Sequence, residues 1–331
     1  MRGLGFDGAN TMLGAKSGVQ LRVRFHAPSA LYIHCRCQPL QLASVHAADE
    51  HNEVKRMFGT LLTMWKMFHY SPKKAEKLAE IQAALDSPEM KVQKPSDTRW
   101  LARERCVRAV RRSLPALVAT FQEMYGVSGD AEVYGLVRLF CKYKSVACLY
   151  MLCDVLHTLA KLQGSLQSQS LNLACVPGLV EGAIARLKEL KEMPNTGTWF
   201  KDHVSVFSDP QQLGEHNISI IEDEKEESKW KVYRPYIQSV IDHISNRLKS
   251  SDVYSCFSRF DPRPLPVNEE ELSSYGESEM QVLTDFYGGA QSVSFEGETS
   301  RSIPDIDGDE AKAEWRFFHK VLFKEYQLQH G

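Results

Sequence analysis

Along most of this chain, apolar residues recur at the spacing of one helix face. Val54, Phe58, Leu61, Trp65 and Phe68 follow at steps of four, three, four and three, which predicts a long helix from Ala47 until Ser71-Pro72 ends it. Pro72 opens a second helix with Leu78, Ile81 and Leu85 inward. After a loop over 87–96, Asp97 is placed to cap a third helix that buries Val107, Val110, Leu114, Leu117 and Phe121 and kinks at Pro115. Further helices are predicted from Ala131 to Leu166, from Gly178 to Glu192, and from Trp230 to Lys249, where Tyr233, Ile237, Val240, Ile244 and Leu248 align. Residues 194–228, ending in the charge run EDEKEE, read as a solvated linker. Residues 261–309 are rich in Pro, Gly, Ser and acids, with one helix near Glu277 to Tyr287, and a last helix runs from Asp309 to Leu328.

The first 45 residues have a different rhythm. Met1 to Phe6 reads as the end of a strand, Asp7-Gly8 as a turn, and Met12, Val19, Leu21 and Val23 as a short helix before Pro28. Ala30 to Cys35 is compact and apolar between Pro28-Ser29 and Pro39, so it reads as a second strand. The expected fold class is therefore mainly α: a partial α/β fragment over 1–45, a long-helix domain over 46–250, and an acidic, Pro/Gly-rich region with a terminal helix over 251–331.

With 331 residues and 43% hydrophobic content the chain can bury a real core. A formal net charge of -2 means that no global field draws it to nucleic acid or an anionic membrane, so any such binding has to be local. Ser145 to Leu162 is apolar, but Asp154, His157 and Lys161 interrupt it, which predicts a buried helix rather than a bilayer span. Eight cysteines at irregular spacing suit reduced thiols in an intracellular protein. His34, Cys35 and Cys37, with His26 as a fourth ligand, have the chemistry of a zinc set. Strand alternation would point His34 away from both cysteines, so no metal site is expected there.

Five segments in order resemble hAT-family DNA transposases, in particular the vertebrate zinc-finger proteins descended from them. FDGANTMLGAKSGV, residues 6–19, is similar to the segment in which that family sets its second catalytic aspartate at a strand end, and Asp7 is the matching position. IHCRCQPLQL, residues 33–42, resembles the next strand with its Cys-x-x-His motif: Cys35 matches, while Gln38 stands where the histidine is expected. DTRWL, residues 97–101, resembles the edge of the family's helical insertion domain, so that Trp100 takes the place of a tryptophan that stacks near a flipped base. Residues 254–266 and 274–288 resemble the late insertion region. The resemblance implies a partial RNase H-like catalytic fragment running into a helical insertion domain.

It also implies an incomplete catalytic set. The ancestral enzyme holds Mg²⁺ with two aspartates and a glutamate, and of these the chain offers only Asp7, which would be a vestigial catalytic and metal-binding residue. No cofactor is expected, and no zinc-finger spacing is found. Six arginines crowd the start of the third helix: Arg99, Arg103, Arg105, Arg108, Arg111 and Arg112. Beside Trp100 they form a candidate surface for phosphate and base contact, against the plainer reading of a solvated helix face. The expected function is a transposase-derived, catalytically incomplete protein of the nucleus (or cytoplasm) with protein partners and weak, sequence-indifferent DNA binding. No membrane and no small-molecule substrate are expected. The alternatives are a fragment of a working Mg-dependent transposase and a helical scaffold with no nucleic-acid role.

Overall fold

A computed structural model describes the chain except for residues 1–2, 7, 15–16, 90, 96–99, 169–170, 203–228, 249–251, 262–264, 267 and 331. The described chain is mainly helical and divides into two compact units, one formed by 39–165 with 180–248, the other by 1–38, 166–179 and 249–331.

Among its described residues the first of these units is built of helices: α3 (Cys37–Asp49), α4 (Asn52–His69), α5 (Pro72–Ala84), α6 (Trp100–Arg112), α7 (Leu114–Ser128), α8 (Ala131–Phe140), α9 (Tyr143–Leu166), α10 (Val176–Glu192) and α11 (Arg234–Arg247). Its centre is α9, on which every residue from Val146 to Leu156 is buried. A helix that is apolar all round has no face to give to water and has to be enclosed by others. By length and composition α9 is also apolar enough to cross a membrane, with a mean hydropathy of 1.4, and 78% of that window is buried within the protein. Leu61 and Met64 of α4, Leu114, Leu117 and Phe121 of α7, Phe140 of α8 and Tyr236 of α11 complete the core.

Three expected helices are each divided in two. The helix expected from Ala47 is the end of α3 followed by α4, parted at Glu50-His51. Pro115 does more than kink the third helix: it has no N–H to give Arg111, so α6 stops, Ser113 intervenes, and α7 restarts with Pro115 in its first turn, where no donor is needed. The helix expected from Ala131 to Leu166 is α8 and α9, parted at Cys141-Lys142, where no Pro or Gly stands. A helix at Cys37 was not anticipated, because the inner stripe of α3 rests on Leu40, Ala43, Ser44 and Ala47, too small and too mixed to register as periodic.

The other unit holds both small sheets. Strand β1 (Gly3–Phe6) pairs in parallel with β2 (Leu31–His34), with Gly3 opposite Leu31 and Phe6 opposite His34. Helices α1 (Asn10–Leu13) and α2 (Val19–His26) lie between them in sequence, as a parallel connection requires. The region read as mostly irregular contains an antiparallel hairpin, β3 (Ser292–Phe295) and β4 (Glu298–Arg301). Its turn residues Glu296 and Gly297 both have positive φ, 51° and 87°, the twist that matches a two-residue hairpin. Phe295 lies 6.0 Å from Phe25 of α2 and 5.6 Å from the Arg22 guanidinium, which joins hairpin to helix.

Helices α12 (Asp252–Cys256), α13 (Glu269–Ser273), α14 (Glu277–Tyr287) and α15 (Gly308–His330) enclose a second core of Cys256, Leu272, Tyr275, Met280, Leu283, Trp315 and Phe323. Trp315 Nε1 donates to the Tyr275 carbonyl at 2.9 Å. Gly276 enters α14 at φ 76°, and a Cβ there would stand 2.9 Å from the Trp315 ring. Gly276→Ala therefore carries both backbone strain and a clash, and should lower unfolding free energy by roughly 1–3 kcal/mol. Thermal denaturation checks this, and a melting temperature equal to that of the parent would contradict the packing described.

Candidate nucleic-acid interface

Helix α6 carries the arginine cluster, but burial divides it. Cys106, Val107, Ala109 and Val110 turn into the core, as expected, and so does Arg103, at 5% exposure. Its guanidinium lies 4.4 Å from the Phe58 ring centroid, close to the buried phenol of Tyr236, so Arg103 is a core cation held on an aromatic face. The expectation that Arg103 meets DNA is corrected: its planar, weakly hydrated head suits stacking, and it cannot reach a phosphate from there.

Arg108 and Arg111 are half-buried for a different reason. Arg108 Nη1 donates to Glu104 Oε1 at 3.1 Å, and His157 Nδ1 of α9 stands 3.8 Å from the same oxygen. Glu104 is itself buried, so this arginine compensates a carboxylate that would otherwise be alone in a poor solvent. The Arg108 and Arg111 guanidinium carbons lie 5.8 Å and 5.5 Å from the Trp199 ring centroid, and Arg111 lies 5.8 Å from Tyr150. The His157 ring meets Trp199 edge-on at 5.0 Å. Trp199 is thus the hub onto which two arginines and an imidazole fold.

Trp199 was not anticipated, because residues 194–228 read as linker. Over 194–202 that reading is overturned: two 3-10 turns, Pro194–Thr196 and Phe200–Asp202, pack Pro194 and Phe200 inward. What holds them is Asp154, the charge that interrupts α9. Its carboxylate accepts the N–H groups of Thr198 at 2.7 Å, Trp199 at 3.3 Å and Phe200 at 2.8 Å. Gly197 makes the close approach possible, since a Cβ there would collide with Asp154 Oδ2. Burial nevertheless outweighs these donors and raises the Asp154 carboxyl above its ordinary value. A lone acid inside an apolar helix, followed some forty residues later by Thr-Gly-Thr-Trp, was the available signal.

What faces solvent is narrower than the cluster predicted. Arg105 and Arg112 are exposed, and the Arg108 side chain is 42% exposed. At i, i+3 and i+7 these three share one face of α6, roughly 10 Å from first to last. Trp100 is the first residue of α6, while its side chain, Arg99 and Asp97 lie outside the described residues.

The second set of candidate residues belongs to the β1–β2 sheet. Asp7 lies outside the described residues, but its neighbours are placed. Cys35 N–H donates to the Phe6 carbonyl at 2.8 Å, extending the parallel ladder by one rung. The Gly8 N–H donates to the side-chain oxygen of Gln38. The Cys-x-x-Gln segment is thereby pinned to the end of β1, on both sides of position 7. Cys37 opens α3 rather than continuing the strand, so the alternation argument stops at His34. Burial first, and then the adjoining Cys35 thiol, push the Cys37 thiol up to about 11, which keeps it protonated at neutral pH. Among the described residues, no group of three or more His, Cys, Asp or Glu side chains is placed to hold a metal ion.

Two expectations follow. Arg111→Gln should cost roughly 1–3 kcal/mol of stability, because it uncovers Trp199 and Tyr150, whereas Arg112→Gln should stay within about 0.5 kcal/mol of the parent. Equal denaturation midpoints for the two variants would argue against the hub. His157 and His51 are both held below 6.5 by burial, so the folded chain binds fewer protons than the unfolded chain near that pH. Stability is then fully present above pH 6.5 and falls as pH drops through it, and His51→Gln/His157→Gln should flatten the fall. Melting temperatures measured across that window give the slope directly.

No protein-family model matches the sequence, and no solved structure matches the chain.

Proposed function

We propose that this chain is a transposase-derived protein without a complete nuclease set: a partial RNase H-like unit joined to a helical scaffold that touches DNA weakly and without sequence preference. The single observation that carries this reading is the end of β1. Two strands pair in parallel with α1 and α2 between them, β1 closes at Phe6, and the motif residues Cys35 and Gln38 hydrogen-bond to the Phe6 carbonyl and the Gly8 amide, the sequence neighbours of Asp7. An aspartate at that point of an RNase H-like sheet is where a hAT transposase would hold Mg²⁺, and one carboxylate does not hold two metal ions in register. The helical body then serves as an interaction platform, with Arg105, Arg108 and Arg112 as its phosphate contacts and the nucleus as its place of work.

A scaffold with no nucleic-acid role is the second reading, favoured by the internal engagement of Arg103, Arg108 and Arg111. The two readings differ in salt dependence. Three phosphate contacts would lower the logarithm of the binding constant by roughly 2.7 per decade of salt, and Arg105→Gln/Arg112→Gln should remove most of that slope on every DNA sequence alike. Fluorescence anisotropy of labelled duplexes at low and moderate salt measures it. Parent and variant binding equally well at low salt would exclude the DNA contact. With Mg²⁺ or Mn²⁺ the chain should neither nick nor join DNA, and cleavage abolished by Asp7→Ala would overturn the reading of an incomplete enzyme.

A further inference from the structure

Helix α15 buries Trp315, His319 and Phe323 and turns the opposite face to water. At the centre of that outer face stands Phe317, 74% exposed, diametrically opposite the buried stripe. Glu310, Ala313, Glu314, Lys320 and Lys324 are exposed on the same face, with Val321 half-buried beside them. Around Phe317, Glu310 and Glu314 precede the ring and Lys320 and Lys324 follow it, with the exposed Asp309 and Glu325 at the edges of the face. Glu310 and Lys324 are each seven residues from Phe317, and Glu314 and Lys320 are each three. Among the described residues none of these four side chains is in an ion pair within the chain.

From this pattern we propose that the outer face of α15 is a self-association surface whose occupant is α15 of a second copy, running antiparallel about a two-fold axis at Phe317. A two-fold interface has to be self-complementary. Reversing this helix about Phe317 lays Glu310 beside Lys324 of the second copy, sets Glu314 within side-chain reach of its Lys320, and brings Ala313 to its Val321. Each pair occurs twice, over a face about 21 Å long. The helix dipoles also oppose one another in this arrangement. Acids early and bases late in a helix suit its own dipole as well, but that accounts for neither a large aromatic ring left in water between them nor the symmetric spacing. Beside the same helix lies a cavity of about 800 Å³ walled by Phe257, Phe260, Tyr287, Ile306 and Phe318, with Phe317 also on its lining, so the apolar surface continues past the ring.

The test is sedimentation analysis of the full chain from low micromolar to about 100 µM, a range that covers weak dimers. The parent should dimerise, less at high salt than at low salt. Glu310→Lys/Glu314→Lys should associate roughly tenfold more weakly or not at all, and so should Lys320→Glu/Lys324→Glu, because each makes every pair like-charged. Mixed in equal amounts the two variants should form a heterodimer, since each then supplies the charges that the other lacks. Phe317→Asp should be monomeric. All substitutions lie on an exposed face, and unchanged far-ultraviolet circular dichroism verifies that each variant is folded. A parent that stays monomeric throughout the range, charge-reversed forms that dimerise like the parent, or a mixture that fails to recover association would each overturn the proposal.

Discussion

Asp154 carries a charge into the middle of the most apolar helix of the chain, and three backbone N–H groups make that position tolerable. The packing of the segment after α10 follows from that exchange. A buried carboxylate without donors would be too costly to keep, so the turn at Thr198–Phe200 has to close over it, and Gly197 has to remain a glycine to let it do so. Once the turn is closed, Trp199 is presented to α6 and α9, and the arginines arrange themselves around its ring. The polar residue that interrupts α9 is thus the reason that a stretch with linker-like composition is packed against the core.

The apolar stripes were the most legible part of the chain. Phe58, Leu61, Val107, Leu117, Ile237 and Ile244 point inward where their spacing says they should, because a helix has one cheap way to bury a stripe. Helix ends were less legible. Pro115 announces a break, yet whether a proline bends or divides a helix depends on what the next turn packs against, and nothing local marks the division at Cys141-Lys142. The β3–β4 hairpin was missed because its alternation spans only Val293 and Phe295, with serines between, among acids and glycines that look irregular. Its Glu-Gly turn was the one cue.

The arginine cluster shows why the candidate site was only half legible. Spacing sets Arg108, Arg111 and Arg112 off the apolar stripe, yet of these only Arg112 is exposed, while Arg108 and Arg111 are half-buried over Trp199. Spacing does not reveal that a guanidinium can be buried when an aromatic ring lies beneath it, as with Arg103 on Phe58, nor that Trp199 would arrive from more than eighty residues away. The β1–β2 sheet was legible in another way: the two short strands about a helical stretch were readable from their turn residues, and the structure pairs Gly3–Phe6 with Leu31–His34, with the Phe6–Cys35 and Gly8–Gln38 hydrogen bonds just beyond.

The ring of Trp199 has a consequence for how this sequence can drift. A lysine keeps the charge of an arginine but not its flat, delocalised head, so the two are interchangeable only where charge alone is used. At Arg112, exposed on the outer face, such an exchange should cost little. At Arg103 and Arg111, which lie over aromatic faces, the same exchange removes the stacking partner and leaves an ammonium that needs water where little is to be had. Within one short helix, then, identical residues meet opposite physical demands: charge alone at Arg112, a flat stacking head at Arg103 and Arg111.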